Sequence, residues 1–92
     1  MPAALEQHPF VAAIGTVEQR KNLPSLVDAF ARVAAEHETA QLVIAGRPSN
    51  DEAAVARRIA ALVPDAAKRM HRLTDVPDAA KDWLVDHALL MA

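Results

Sequence analysis

Two short apolar runs, each closed by one of the chain's two glycines, constrain the fold more than anything else in the sequence. They are "PFVAAIG" (Pro9 to Gly15) and "AQLVIAG" (Ala40 to Gly46). A short, continuously apolar run stopped by glycine suits a strand buried on both faces, as in a parallel sheet covered by helices. Between the runs, Leu23, Leu26, Val27, Phe30, Val33 and Ala34 recur at helical spacing and form one apolar face. Asn22 is placed to cap that helix, and Pro24 fits its first turn, where N–H groups lack intrahelical partners.

After Gly46, "RPSN" reads as a turn. Ser49 and Glu52 have capping-box spacing, and Asp51 and Glu52 put negative charge at the positive end of a second helix. Its buried stripe would be Val55, Ile59, Leu62 and Val63, with Pro64 at or just past its end. Met70 to Thr74 reads as a third, weaker strand. Asp78 would cap a third helix with Leu84, Val85 and Ala88 turned inward, and "ALLMA" begins a fourth strand. Residues 1–9 are a lead-in and residues 10–92 a single domain. The expected fold is α/β, a Rossmann-like β-α-β-α-β-α-β order with a four-stranded parallel sheet and right-handed crossovers.

At 92 residues the chain has room for one small domain, and its 52% hydrophobic content is heavy in alanine, which contributes little burial per residue. A net charge of −2, with both signs interspersed, gives no general affinity for nucleic acid or anionic membranes. There is no cysteine, hence no disulfide framework or thiolate site. The N-terminus has no signal-peptide pattern, and no apolar run approaches the roughly 20 residues a membrane helix needs. These features lead to the expectation of a cytoplasmic domain without a transmembrane segment.

In open parallel sheets, ligands sit beyond the carboxyl ends of the strands. The loops there are Gly15 to Asn22, Gly46 to Ser49 and Thr74 to Asp78. Arg20 and Lys21 lie side by side just before a helix begins, where backbone N–H groups and the helix dipole already favour an anion. Two adjacent cations would add charge-assisted bonds to a phosphate or pyrophosphate. The competing reading is two solvated loop residues. The loop has neither a Walker ending nor a GxGxxG fingerprint. His8, His37, His71 and His87 have no metal-ligand spacing, so no metal site is expected. Trp83 reads as a packing residue, Arg57 and Arg58 as a solvated face, and Glu18 as solvated or paired with a neighbouring cation.

The succession "GTVEQRKNLPSLVDAFARV", "QLVIAG", "LTDVPD" resembles the C-terminal domain of GT-B glycosyltransferases, in particular the retaining family 4 (glycosyl transferases group 1). The likeness runs from about Phe10 to the last residue and corresponds to the first half of that domain. It implies that Gly15 lets the loop approach the phosphates of a nucleoside diphosphate sugar. By the same resemblance, Lys21 and Arg20 hold the diphosphate and stabilise its charge as it leaves. Many members of the family have arginine directly after that glycine, where this chain has Thr16. Val76, Asp78 and Lys81 would border the nucleobase, although Asp78 as a cap and Lys81 as a solvated lysine are equally simple readings. Asp75 stands where the family usually has glycine.

The resemblance thus implies part of a donor-binding domain, with no catalytic residue of its own, no cofactor and no metal, inactive alone. The family's Glu-x7-Glu segment and acceptor domain have no counterpart in these residues. Its partners would be a nucleotide-sugar and either the remainder of the enzyme or a second copy. The alternative is a stand-alone, non-catalytic α/β module that binds a nucleotide or a protein. A response-regulator-like domain is disfavoured, because Gly46 and Arg47 occupy the place where its phosphoacceptor Asp would be.

Overall fold

The computed structural model describes residues 1–92 as a three-layer α/β/α arrangement. Four parallel strands form one Rossmann-like sheet: β1 (Phe10–Ile14), β2 (Gln41–Ala45), β3 (Met70–Leu73) and β4 (Leu90–Met91). Their order across the sheet is β3-β2-β1-β4. Ala12 lies opposite Val43, and Ile44 opposite Arg72. Five helices cover it: α1 (Ala3–Gln7), α2 (Leu23–Glu36), α3 (Glu52–Ala60), α4 (Pro64–Lys68) and α5 (Asp78–His87).

Alternation along the strands divides the core in two, because successive side chains point to opposite faces. Leu42 and Ile44 pack with Val27, Phe30, Val55 and Ala66, which places α2, α3 and α4 on one face. Val43 and Ala45 pack with Leu5, Phe10, Ala12 and Leu84, which places α1 and α5 on the other. Leu84 is completely buried, and its burial alone contributes roughly 2 kcal/mol to seating α5. The Trp83 ring stacks on Phe10 with centroids 5.8 Å apart, so Trp83 is a packing residue.

Several local expectations are corrected. The lead-in contains a helix, α1, whose Leu5 enters the core. Val63 leaves the second helix and is exposed, because Pro64 holds the residue before it extended and starts α4. Val85 is exposed because the Phe10–Trp83 stack turns Leu84 and Ala88 towards the sheet. Val33 is also exposed, at the rim of a hollow it shares with Phe10, Val11 and Leu89. The Ser49–Glu52 capping box does not form: the Ser49 carbonyl accepts the Glu52 N–H at 3.1 Å, and the Glu52 carboxylate turns to Arg72. Asn22 makes no side-chain cap; it takes a left-handed backbone (φ 51°), and its Oδ1 accepts the Ser25 hydroxyl at 3.0 Å. Asp78 is the first residue inside α5 and Pro77 stands at the cap. Arg57 and Arg58 are exposed, as expected of a solvated face, and Arg58 makes a surface pair with Asp28 of α2.

Candidate functional site

The two glycines meet at the carboxyl edge of the sheet. The Gly15 N–H donates to the Ala45 carbonyl at 2.8 Å, and the Gly46 N–H donates to the Leu73 carbonyl at 2.9 Å. Both backbones lie at positive φ, 132° for Gly15 and 149° for Gly46. A Cβ on Gly46 would fall 1.9 Å from the Gly15 carbonyl oxygen, so the two main chains touch where any side chain would collide. Gly46 therefore serves a backbone crossing. Gly15 is different: a Cβ there would meet the Lys21 ammonium at 2.6 Å, because Lys21 folds back over it.

The loop that carries Lys21 is held from below. Val17 is fully buried beneath it. The Val17 N–H donates to the Arg47 carbonyl at 2.9 Å, and the Asp51 N–H donates to the Val17 carbonyl at 3.3 Å. The chain then forms a 3-10 turn, Gln19–Lys21, and passes through left-handed Asn22 into α2. The Thr16 N–H makes no hydrogen bond within the molecule.

Lys21 sits where the topology changes direction. From β1 the chain crosses by α2 to β2 on one face; from β3 it returns by α5 to β4, on β1's other side, across the opposite face. Such a reversal opens a crevice at the carboxyl ends of the two diverging strands. A cavity of about 490 Å³ occupies it, lined by Ala13, Ile14 and Gly15 of β1 and its end, Leu23 of α2, Lys21, and Ala92 just past β4. The Lys21 ammonium has no hydrogen-bond or ion-pair partner.

Arg20 points elsewhere. Its Nε donates to the Glu18 carboxylate at 2.5 Å, and its side chain is largely exposed. The hydrogen bond and charge of Glu18 raise the Arg20 pKa, while the bond from Arg20 holds the Glu18 carboxyl below its ordinary value. An anion would have to draw Arg20 away from Glu18. The site as folded thus offers one unpaired ammonium.

Val76 lies across β2 from this cavity, in a separate hollow of about 350 Å³ beside Arg72, Leu73 and Pro77. The two hollows share no residue. Asp78 and Lys81 line neither; they approach one another at 4.0 Å on the first turn of α5. Asp75 keeps a negative φ, so the absence of glycine there imposes no strain. The structure therefore joins Gly15 to Lys21, turns Arg20 to Glu18, and leaves the three base-side residues apart from them.

Arg72 and Asn50, two residues that shape the site, carry no sequence motif. The Arg72 guanidinium donates to the carbonyls of Gly46 (2.9 Å), Leu73 (2.7 Å) and Ile44 (3.1 Å) and grips Glu52 from 2.6 Å. An arginine inside the apolar-flanked "MHRL" is a readable sign of such a partner, since a strand cation this far from water needs one. Asn50 accepts the Gln19 N–H at 2.9 Å from a loop distant in sequence, and nothing distinguishes it from an ordinary turn asparagine. No group of three or more His, Asp or Glu side chains is arranged to hold a metal ion. No family model, curated protein or solved structure matches the chain.

Proposed function

We propose that this chain is the nucleotide-sugar-binding part of a retaining GT-B glycosyltransferase of family 4, and that it is not active alone. One observation carries the proposal: an unpaired ammonium folded over a glycine, at the mouth of a cavity set in the topological switch between β1 and β4. In the complete enzyme, Lys21 would hold the diphosphate and stabilise the charge left on it as the sugar departs, a purely electrostatic role. Gly15 would admit the phosphates, the Thr16 N–H would supply a donor, and Arg20 would join by exchanging Glu18 for phosphate. Val76, Asp78 and Lys81 would meet the base only if the nucleotide spans β2. A cytoplasmic location, with the remainder of the enzyme or a second copy as partner, belongs to the same reading.

Titration of the chain with UDP, GDP and ADP, followed by amide NMR, tests it. Saturable shifts at Gly15 to Asn22 are expected, with the preferred nucleotide also moving Val76 to Lys81. Lys21→Ala should weaken binding roughly tenfold, the worth of one charged hydrogen bond. It should leave melting unchanged, because Lys21 is exposed. A dispersed spectrum indifferent to all three nucleotides would sink the proposal. A non-catalytic interaction module would then be favoured by the exposed apolar residues Leu89, Leu90 and Met91 along β4.

A further inference from the structure

We infer that Asn50 is a positioning residue for the Lys21 site, acting as a cap supplied from a neighbouring loop. This rests on the proposed reading of that site as one for the diphosphate of a nucleotide. The turn Gln19–Lys21 begins with an N–H that has no partner inside the turn, as every helical start does. The residue placed to cap it locally, Glu18, makes no side-chain cap, because its carboxylate is engaged by Arg20. The Asn50 Oδ1 takes the Gln19 N–H instead, at 2.9 Å, across 31 positions of sequence.

That bond lies two residues from Lys21 and fixes the beginning of the turn whose end aims the ammonium over Gly15. The other ties between the two loops, through the Val17 N–H and carbonyl, are main-chain bonds at the base of the loop. Asn50 is thus the one side chain by which the β2–α3 loop sets the upper part of the anion loop. Its own exposure means that removing the carboxamide leaves the core intact. The consequence should appear in the order of the turn and in ligand affinity, with only a modest fall in melting temperature.

Three forms of the chain test this: wild type, Asn50→Ala and Asn50→Asp. Each is followed by amide hydrogen exchange at Gln19 and Lys21 without ligand, by melting, and by titration with UDP, GDP and ADP. In Asn50→Ala both amides should exchange faster and affinity for the preferred nucleotide should fall about fivefold, the size expected for loss of a capping side chain. Melting should fall by no more than about 4–8 °C, the loss of a single cap in a domain of this length. Asn50→Asp keeps an acceptor oxygen and should keep the exchange protection. Faster exchange with unchanged affinity would overturn the positioning role alone, and unchanged exchange in Asn50→Ala would overturn the cap itself. Failure of the wild type to bind any of the three would overturn the diphosphate reading as well, and it is told apart because exchange is read without ligand.

Discussion

At the amino end of the sheet, Arg69 donates to the Ala34 and His37 carbonyls, which close α2, and reaches Asp65 at 3.1 Å. At the carboxyl end, three residues further along the same segment, Arg72 donates to three main-chain carbonyls and to Glu52. Both arginines are largely buried, yet they do different work. Arg69 satisfies the orphan acceptors of one helix, a task water or another cation could share. Arg72 pins the Gly46 main chain at the point where it touches Gly15, and so fixes the floor beneath Lys21. The difference teaches why the lysine can stay unpaired: its surroundings are held by bonds that do not involve it, so the fold does not depend on its charge.

The comparison breaks hardest at the glycines. Gly46→Ala forces a Cβ into the Gly15 carbonyl at a φ of 149°, and neither backbone can yield without dismantling the crossing. The expected loss exceeds about 4 kcal/mol. A domain of this size has a total of about 5 kcal/mol at the low end of the usual range, so the variant should be mostly unfolded by circular dichroism. Gly15→Ala meets only the mobile end of Lys21, at 2.6 Å. It should cost about 2 kcal/mol from backbone strain and remain folded in urea titrations. On the proposed diphosphate reading it should also lose the nucleotide shifts, because the ammonium is displaced. Equal stabilities for the two variants would refute the crossing as the source of the difference.

Between the arginines the gap should be smaller. Arg72→Met leaves the Glu52 carboxylate partly buried without its partner and three carbonyls short of a donor, at an expected cost of about 3 kcal/mol. Arg69→Met strips the end of α2 but also removes a buried Nε that has no partner of its own, and Asp65 is already in water. About 1 kcal/mol is expected. Urea midpoints for the two variants rank them directly, and a larger loss at Arg69 would mean that helix closure, not the crossing, dominates the sheet's ends.

The sheet and its helices were legible because buried parallel strands leave a clear trace: "FVAAI" and, after Gln41, "LVIA" are apolar on both faces and are separated by a helix-length amphipathic stretch. Gly15 and Lys21 were legible for a related reason, since a glycine at a strand end and a cation before a helix are local features. What stayed hidden depends on contacts distant in sequence. Asn50 cannot be known to serve Gln19, 31 positions away, until two loops are brought together. Arg20 and Glu18 are only two residues apart, and pairing with a neighbouring cation is one of the two readings the sequence allows for Glu18. Val63 and Val85 failed as core residues because helical spacing gives a face but not the point where a helix stops or how a stacked Trp83 rotates it.

The smallest effect belongs to the amino end, where a titratable group is packed against the sheet's edge. The His71 Nε2–H donates to the Gln41 Oε1 at 2.8 Å, and the Gln41 amide nitrogen donates to the Thr39 carbonyl at 3.0 Å, which orients that oxygen towards the ring. Partial burial lowers the His71 pKa from the usual 6.5. The unfolded chain therefore takes up the proton first as the solution is acidified. Stability is fully present above pH 6.5 and is lost as the pH falls from there through the folded-state value. Because the ring remains half in water, the melting temperature should drop by only roughly 1–2 °C between pH 7.5 and 5.5. His71→Gln, which keeps an amide donor for Gln41, should flatten that part of the profile. A slope that survives the substitution would assign the acid sensitivity to another group and leave the two ends of the sheet alike in their response to pH.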